Sequence, residues 1–578
     1  MPDPQSGGSS RRSPANLIQP VETGESATSA PALFPIPALY IIGTAFAVVL
    51  PFLFLGNPSG HDFEFHILSW MEVANQWRQG IIYPSWAEFA HWSYGEARFL
   101  FYPPASWTLG ALVGSLLPWK MASGTYIWCS LTASGCFMFL LARRWLNRAD
   151  AIFASILYAA NPYYIVVIYW RSALAELLAG CLLPLLALMI FRAKEDGRRM
   201  VLPLSLIVAA AWLTNAPSAV MVNYSLALLI TSVAFSQKRP QLLLYGAAAV
   251  LMGAALAGFY LIPAVYEEKW VNIAEVLVPG LRPQDNFLFT SINDPDHNRF
   301  NQVVSIVGAT EVALFVVVAC LSRKLQKKDR IAWWAISVWG VAAALLMLPL
   351  TNPLWQHLPK LRFVQLPWRW LLCLNVAFTL LFTVACRRWL VRAFVCLSLF
   401  LVLWGVWHYV QPPWWDNAAD IQELHDFIED GGGYEGTDEY VPAGADPSDV
   451  DKDAPQVSAV SGDQVTIRVQ KWTTQTKEFT VETAKAQGLR LRLFNYPAWK
   501  VDVDGKRSAT QSQAGTGEIV FSVGAGHHSV QVQFVPTSDR RIGGCISVVA
   551  GAGVIIFLVF LAKRAKSPVE LARKDLEY

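Results

Sequence analysis

The stretch "IPALYIIGTAFAVVLPFLFLGNPSGHDFEFH", residues 36–66, decides the fold. Its first part, Ile36 to Leu55, is an apolar run long enough to cross the ~30 Å hydrocarbon core of a bilayer as helix. Two acids and two histidines follow at once: His61, Asp62, Glu64 and His66. Charges stationed where a first helix leaves the lipid either end that helix at the headgroups or do chemistry there.

The rest of the chain repeats the pattern. It has 578 residues, 54% of them hydrophobic and only 15% charged, with a mean hydropathy of +0.34. A soluble chain of this length would divide into several domains and carry more charge. Here the apolar residues come in blocks of about 15–25, the length of a spanning helix. The fold class is therefore an α-helical polytopic membrane protein. The net charge of +3 comes from basic clusters between spans and makes no case for nucleic acid. The eight cysteines (Cys129, Cys136, Cys181, Cys320, Cys373, Cys386, Cys396 and Cys545) fall inside or beside the spans. They outline neither a disulfide framework nor a zinc-finger spacing. Residues 1–31, rich in Ser, Pro and Gly, read as a disordered cytoplasmic terminus. Arg11 and Arg12 precede the first span without a short apolar region and cleavage site, which predicts an uncleaved signal anchor.

Basic loops set the orientation. "RRWLNR" (143–148), "RAKEDGRR" (192–199), "QKR" (237–239), "SRKLQKKDR" (322–330), "RRWLVR" (387–392) and "KRAK" (563–566) belong in the cytoplasm. Threading them all to one side gives about 12 spans, near 36–55, 122–142, 150–168, 173–191, 200–215, 218–235, 241–264, 302–321, 331–350, 370–386, 393–409 and 542–562. "ASWTLGALVGSLLP" (105–118) is too short to cross and would reverse the loops after it, so it is expected to be re-entrant or to lie against the outer surface.

Three polar regions then face outward. The first, 56–121, carries an interfacial amphipathic helix over 63–79: Ile67, Met71 and Ala74 share one face, and His66, Ser69, Glu72, Gln76 and Gln79 another. The second, about 265–301, holds "YEEKW" and "NDPDHNR". The third, 411–541, alternates in "DQVTIRVQ", "LRLRLF", "WKVDVD", "EIVFSV" and "SVQVQFV", with a hairpin signal at Asp504-Gly505, and predicts a small extracytoplasmic β-sandwich. A final span, 542–562, and a cytoplasmic tail, 563–578, complete the chain.

Charges at the bilayer edge are the informative residues, because each costs ~2.5–3.5 kcal/mol at mid-depth. Asp62, Glu64, Arg171, Glu176, Glu267, Glu268, Glu311, Arg362 and Arg369 sit on the outward side of different spans. Converging, they would suit a lipid-linked phosphate: arginine grips phosphate oxygens bidentately, and a carboxylate beside it can take a proton from an attacking hydroxyl. Each has a plainer reading. Asp62 can cap the interfacial helix; Glu64 can be a solvated first-turn acid; His61 and His66 can be interfacial polar residues, with no third metal ligand at a recognisable spacing. Arg171 and Glu176 can be a structural pair, and Arg369 can snorkel to headgroups. The acidic run from Asp438 to Asp453 reads as a solvated loop, and "QPPWWD" as part of an aromatic belt.

Six pieces, "GHDFEFHILSWMEVANQWRQGIIYPSW", "FLFYPPASW", "YWRSALAELLAGCLLPLL", "RFVQLPWRWL", "GGGYEGTDEYVP" and "NYPAWKVDVDGK", resemble the GT-C superfamily of membrane glycosyltransferases. More closely they resemble bacterial membrane proteins labelled as related to 6-pyruvoyl-tetrahydropterin synthase. The label's pterin chemistry does not carry over, because no compact soluble fold with three zinc-binding histidines is present. The resemblance implies a GT-C-like transmembrane domain over 32–410 in a bacterial inner membrane, with both termini cytoplasmic.

It also implies transfer of a sugar from a polyprenyl-phosphate donor, with inversion, to a glycan, lipid or protein acceptor at the outer face. Asp62, with Glu64 as its companion, then stands at the catalytic carboxylate. Arg369, Arg362 and Arg171 stand at the donor phosphate, and His61, His66, Glu176, Glu267 and Tyr440 complete the candidate cavity. A divalent cation, if one is used, would sit on Asp62; the resemblance leaves the cofactor open. Two departures leave the acceptor open as well: no "WWDYG"-like motif is present, "PWWDN" (413–417) belonging to a connecting loop, and "LTNAPSA" places Asn215 where relatives often have histidine. A non-enzymatic carrier or flippase for a lipid-linked sugar, and a scaffold whose β-domain binds a partner, are the competing readings.

Overall fold

The computed structural model describes residues 35–461 and 464–574. The expected disordered terminus 1–31 and residues 575–578 of the expected tail lie outside the described residues. Among those described, nine helices are long and apolar enough to cross a membrane: Ile36–Leu55, Trp119–Ala142, Arg148–Arg171, Leu174–Ala193, Ala216–Gln237, Pro295–Leu321, Pro367–Ala385, Trp389–Val410 and Ser538–Phe560. Each coincides with an expected span. Two more expected spans are bent pairs, Gln241–Leu256 with Gly258–Trp270 at 79° and Arg330–Leu346 with Pro349–His357 at 93°.

The twelfth expected span, 200–215, falls short. Its helix is only 14 residues, Val201–Thr214, and packs on Gln241–Leu256 and Ala216–Gln237. Asn215 ends it because that side chain caps the next helix, accepting from the Ser218 amide at 2.9 Å. The last helix continues past its expected end, to Lys574.

Five of the six expected cytoplasmic loops, all but 563–566, meet at one end of the bundle. Lys194 pairs with Asp329 at 2.9 Å, Arg144 with Glu195, and Arg392 with Asp150 at 2.8 Å. Pro367–Ala385 is buried on nearly all sides, whereas Trp389–Val410 and Ser538–Phe560 present Leu390, Phe394, Phe400, Ile555 and Phe557 outward, as lipid-facing helices do.

At the other end stands a β-sandwich. Its strands are β1 (Val457–Ala459), β2 (Thr466–Thr473), β3 (Thr476–Thr483), β4 (Gln487–Phe494), β5 (Trp499–Val503), β6 (Lys506–Ser508), β7 (Gln511–Ser512), β8 (Glu518–Val523) and β9 (Gly526–Phe534). They form two antiparallel sheets, β1-β4-β8-β7 and β2-β3-β9-β5-β6, over a core that includes Phe479, Val481, Leu491, Val501, Phe521 and Val532. Asp504 and Gly505, at φ 51° and 74°, make the expected two-residue turn between β5 and β6.

Of residues 411–456, assigned to the sandwich from the sequence, 411–439 lie outside its strands and core, whereas Tyr440, Val441, Ala445, Val450 and Ala454 pack into that core. Trp415–Asp416 forms a two-residue ribbon with Asn57–Pro58. Asn417 and Asp420 build a capping box that starts the helix Ala418–Glu429, which packs on the helix Phe63–Arg78.

Phe63–Arg78 is the expected interfacial helix, but its polar face is covered: His66, Ser69, Glu72 and Gln76 are all buried. The short helix Pro104–Leu116, which is the stretch that could not span, lies against it, with Gly110 so close to Trp70 that a Cβ would overlap the indole. The other cover is a clasp of two segments, "HWSYGEAR" (91–98) and "GGGYEGT" (431–437). His91, Trp92 and Ser93 are all left-handed, an unusual run for non-glycine residues. Buried Glu96 takes the Thr437 amide at 2.8 Å, the His91 ring at 2.9 Å and Arg98, whose Nη1 donates to Ser69 at 2.9 Å. Glu72 accepts from the Tyr434 phenol at 2.7 Å and the Phe89 amide at 3.1 Å. Trp86, Tyr94 and Leu100 join the sandwich core from the same loop. The β-domain and the loop 56–121 are thus one packed body.

Candidate functional site

The chain leaving the first span is pinned to the end of a distant helix. Gly60 donates to Ser172 Oγ at 3.0 Å, and the Asp62 amide to the Arg171 carbonyl at 2.8 Å. A Cβ on residue 60 would overlap the Trp170 carbonyl, so only glycine permits this approach. Arg171 closes a π-helical turn, Val167–Arg171, and Ser172 is left-handed at φ 51°. Such turns often mark functional positions. This backbone contact fixes Asp62 relative to Arg171 before any side chain is considered.

The side chains then form an alternating chain of charges. Arg171 Nη2 donates to Asp62 Oδ2 at 3.0 Å and Nη1 to Glu176 Oε2 at 2.7 Å. Arg369 Nε donates to the same Glu176 oxygen at 2.9 Å, and the Tyr163 phenol to the other. Arg369 Nη1 also reaches the Val364 carbonyl at 2.6 Å and Gln365 Oε1 at 3.2 Å. Glu176 is 1% exposed at its side chain, Arg171 5%, Arg369 8% and Asp62 37%. Three members are therefore structural in their surroundings and one, Asp62, is open. The pairing also answers the desolvation cost of burying these ions.

Asp62 opens into a cavity of about 650 Å³. His61 and Arg171 line it, with Asp294, Asp296, His297, Arg299 and Phe300 from the start of Pro295–Leu321, and with Leu366, Trp368, Gln411, Pro412 and Trp414. Trp368 lies 5.0 Å from the Arg171 guanidinium, and the His61 ring contacts Phe300 edge-on at 4.7 Å. Desolvation lowers the His61 pKa, Asp62 raises it, and Arg171 and His297 lower it further, so the ring is held below its ordinary value. Asp294 Oδ1 is engaged as a helix cap, accepting from the Asp296 and His297 amides at 3.0 and 3.1 Å. Arg299 is exposed on the wall and pairs with no acid among the described residues.

Of the sequence-derived candidates, His61, Asp62 and Arg171 meet at the cavity, and Glu176 and Arg369 stand directly behind it. The others lie elsewhere. Glu64 is exposed on the first turn of its helix and lines no part of the cavity. His66 is buried against Phe65, Trp70 and Tyr102, and desolvation pushes its pKa down to about 4, that of a neutral packed ring. Arg362 is exposed over Phe363.

Glu267 belongs to the junction with the last span, accepting from Arg540 at 2.8 and 2.9 Å and from Thr537 at 2.9 Å. Tyr440 stacks on Phe101 in the sandwich core. The sequence reading missed His297, Arg299 and Trp414 as wall residues, although "NDPDHNR" and "QPPWWD" were the segments that carry them. Among the described residues no three of the His, Cys, Asp and Glu side chains are grouped to hold a metal.

Among solved structures, the apo oligosaccharyltransferase of Archaeoglobus fulgidus is similar over 68% of this chain and 54% of that one, with 11% identity and a TM-score of 0.35. The chain thus spans about half the length of that protein. No curated protein matches it. Residues 99–412, more than half of the chain and including Arg171, Glu176, Arg299 and Arg369, match the 6-pyruvoyl-tetrahydropterin synthase related domain, described as a membrane protein. The chain belongs to that family of membrane proteins.

Proposed function

We propose that the protein is an inverting glycosyltransferase that moves a sugar from a polyprenyl-phosphate donor to an acceptor hydroxyl at the membrane face bearing the β-domain. One observation carries the reading: a half-open carboxylate, Asp62, faces a 650 Å³ aromatic-walled cavity beside a guanidinium held rigid by buried partners. The acceptor oxygen attacks the anomeric carbon while its proton passes to Asp62. The bond from that carbon to the donor phosphate breaks, and the phosphate leaves with the electron pair. Arg171 and Arg299, both on the cavity lining, stabilise the charge that develops on it.

Glu176 and Arg369 act as positioning residues for Arg171. This departs from the sequence expectation, which gave Arg369 and Arg362 to the phosphate. Trp414, exposed on the cavity wall, offers a flat face to a sugar, and the lipid tail lies between spans. The cytoplasmic side is the end where the basic loops meet, as the Lys/Arg bias requires in a bacterial inner membrane.

The test is transfer of radiolabel from a polyprenyl-phosphate-linked sugar in vesicles reconstituted with the purified protein. Transfer that fails with Asp62→Asn, at normal expression, supports the reading. Movement of the lipid-linked sugar across the vesicle without transfer would support a carrier instead. A specific feature keeps that second reading in view: the span Arg148–Arg171 is broken at Asn161, inside the bundle.

A further inference from the structure

The same break in Arg148–Arg171 borders a buried carboxyl that the proposed chemistry does not use. Glu311, on Pro295–Leu321, is 0% exposed and pairs with no cationic side chain among the described residues. Asn375 Nδ2, on Leu371–Ala385, donates to Glu311 Oε2 at 3.0 Å. Three neighbouring oxygens are then buried without a partner: Glu311 Oε1, Asn375 Oδ1 and, one helical turn on, Thr379 Oγ1. The third side of the site is the restart of the broken helix. Asn161 caps it, and the Tyr163 amide in its first turn faces Glu311.

An ionised carboxylate in this place would lack a counter-ion in an apolar interior, which is the costliest state a side chain can adopt. It would also leave both Glu311 Oε1 and Asn375 Oδ1 as acceptors with nothing to accept. A carboxylic acid is the complement of a primary amide, donating from one oxygen and accepting at the other. The proton therefore satisfies two orphaned atoms at once, Glu311 Oε1 as donor and Asn375 Oδ1 as acceptor. The other titratable groups nearby belong to the site's edge. The Tyr163 phenol is committed to Glu176, whose second oxygen is held by Arg171 and Arg369.

We propose that Glu311 is a proton-binding site in the membrane interior, its acid form held against the Asn375 amide at the break of the helix that ends in Arg171. A sodium ion held by the same oxygens is the competing occupant. It is less favoured, since the proton needs no space and no further ligands.

Infrared difference spectra of the whole protein in lipid nanodiscs, wild type minus Glu311→Gln, test this. The expected result is a protonated-carboxyl carbonyl band that is lost in the variant, with the same melting midpoint in sodium chloride as in choline chloride. Absence of the band, or a sodium-dependent rise in melting that Glu311→Gln abolishes, overturns the proposal. Should Glu311→Gln fail to fold, Asn375→Ala supplies the second measurement. Loss of its acceptor must shift the acid band upward, and an unmoved band overturns the proposal equally.

Discussion

Arg171 Nη2 donates to Asp62 Oδ2 at 3.0 Å across 109 residues of sequence, and the backbones of the same two residues are joined at 2.8 Å. The acid at the exit of the first span is thus fixed both by its chain and by its partner. What remains open is one carboxylate edge facing a cavity, which is the arrangement a general base requires.

Asp62→Asn keeps the size and the place of the side chain but removes its basicity. We expect a loss of about 10²–10⁴-fold in transfer, the usual contribution of a positioned base. Surface glycans of cells carrying the variant at normal expression would follow. Glycans identical to wild type would exclude Asp62 from the chemistry.

Arg299 and Arg362 distinguish the structural assignment from the sequence expectation. Arg299→Gln should raise the donor KM about tenfold, the effect of losing ~1.4 kcal/mol of phosphate contact, and leave the acceptor KM unchanged. Arg362→Gln, on a side chain outside the cavity, should change neither. Steady-state kinetics with donor and acceptor varied separately decide between them.

Glu176→Gln leaves two buried guanidinium groups with one neutral partner between them. Breaking a buried pair in this way costs about 3–5 kcal/mol. A fall in the melting midpoint of the detergent-purified protein is the expected outcome, larger than that of Glu64→Gln on the exposed first turn. Equal midpoints for the two variants would show that the buried chain is not a structural support.

The clasp under the β-domain should respond to pH in a definite direction. Burial raises the Glu72 carboxyl from 4.5 to about 7, partly opposed by the hydrogen bond from Tyr434. A raised acid contributes its stability in full below its unfolded value of 4.5 and loses it as pH rises through about 7. Glu96 runs the other way: burial would raise it, but Arg98 and His91 outweigh that and hold it at about 2, so its contribution is full above 4.5 and fades as pH falls from there through about 2. Melting followed from mildly acidic to mildly alkaline buffer should therefore fall, and Glu72→Gln should flatten that slope.

Gly436→Ala would drive a methyl group into His91 and Glu96, and Gly433→Ala one into the Trp92 backbone. Each should cost about 1–3 kcal/mol, as overpacking does, and expose the stretch 431–437 to protease. Gly444→Ala is the comparison: nothing lies within reach of its Cβ, although its φ of 84° strains an added side chain. Cleavage of the two clasp variants no faster than this one would mean that the clasp does not hold the segment.

The sequence by itself determined the membrane class, nine of the spans, the place of two more but not their bends, the sharing of one side by the basic loops and five of the sandwich strands. These follow from local physics: apolar runs must match the bilayer, and period-two alternation must put one face of a strand inward. It also singled out Asp62, because a charge next to lipid needs a reason.

Only the tertiary structure decided which guanidinium Asp62 meets. Arg171, Arg362 and Arg369 carry the same charge on the same side, and nothing in their spacing says that Arg171 reaches the acid, that Arg369 is linked to it only through Glu176 and Arg171, or that Arg362 lies outside the cavity lining. The same holds for Arg299, for the covered face of the helix Phe63–Arg78 and for Glu311 beside a broken helix. Each depends on a contact between segments 29 to 362 residues apart, and such contacts are set by packing, which no local pattern encodes.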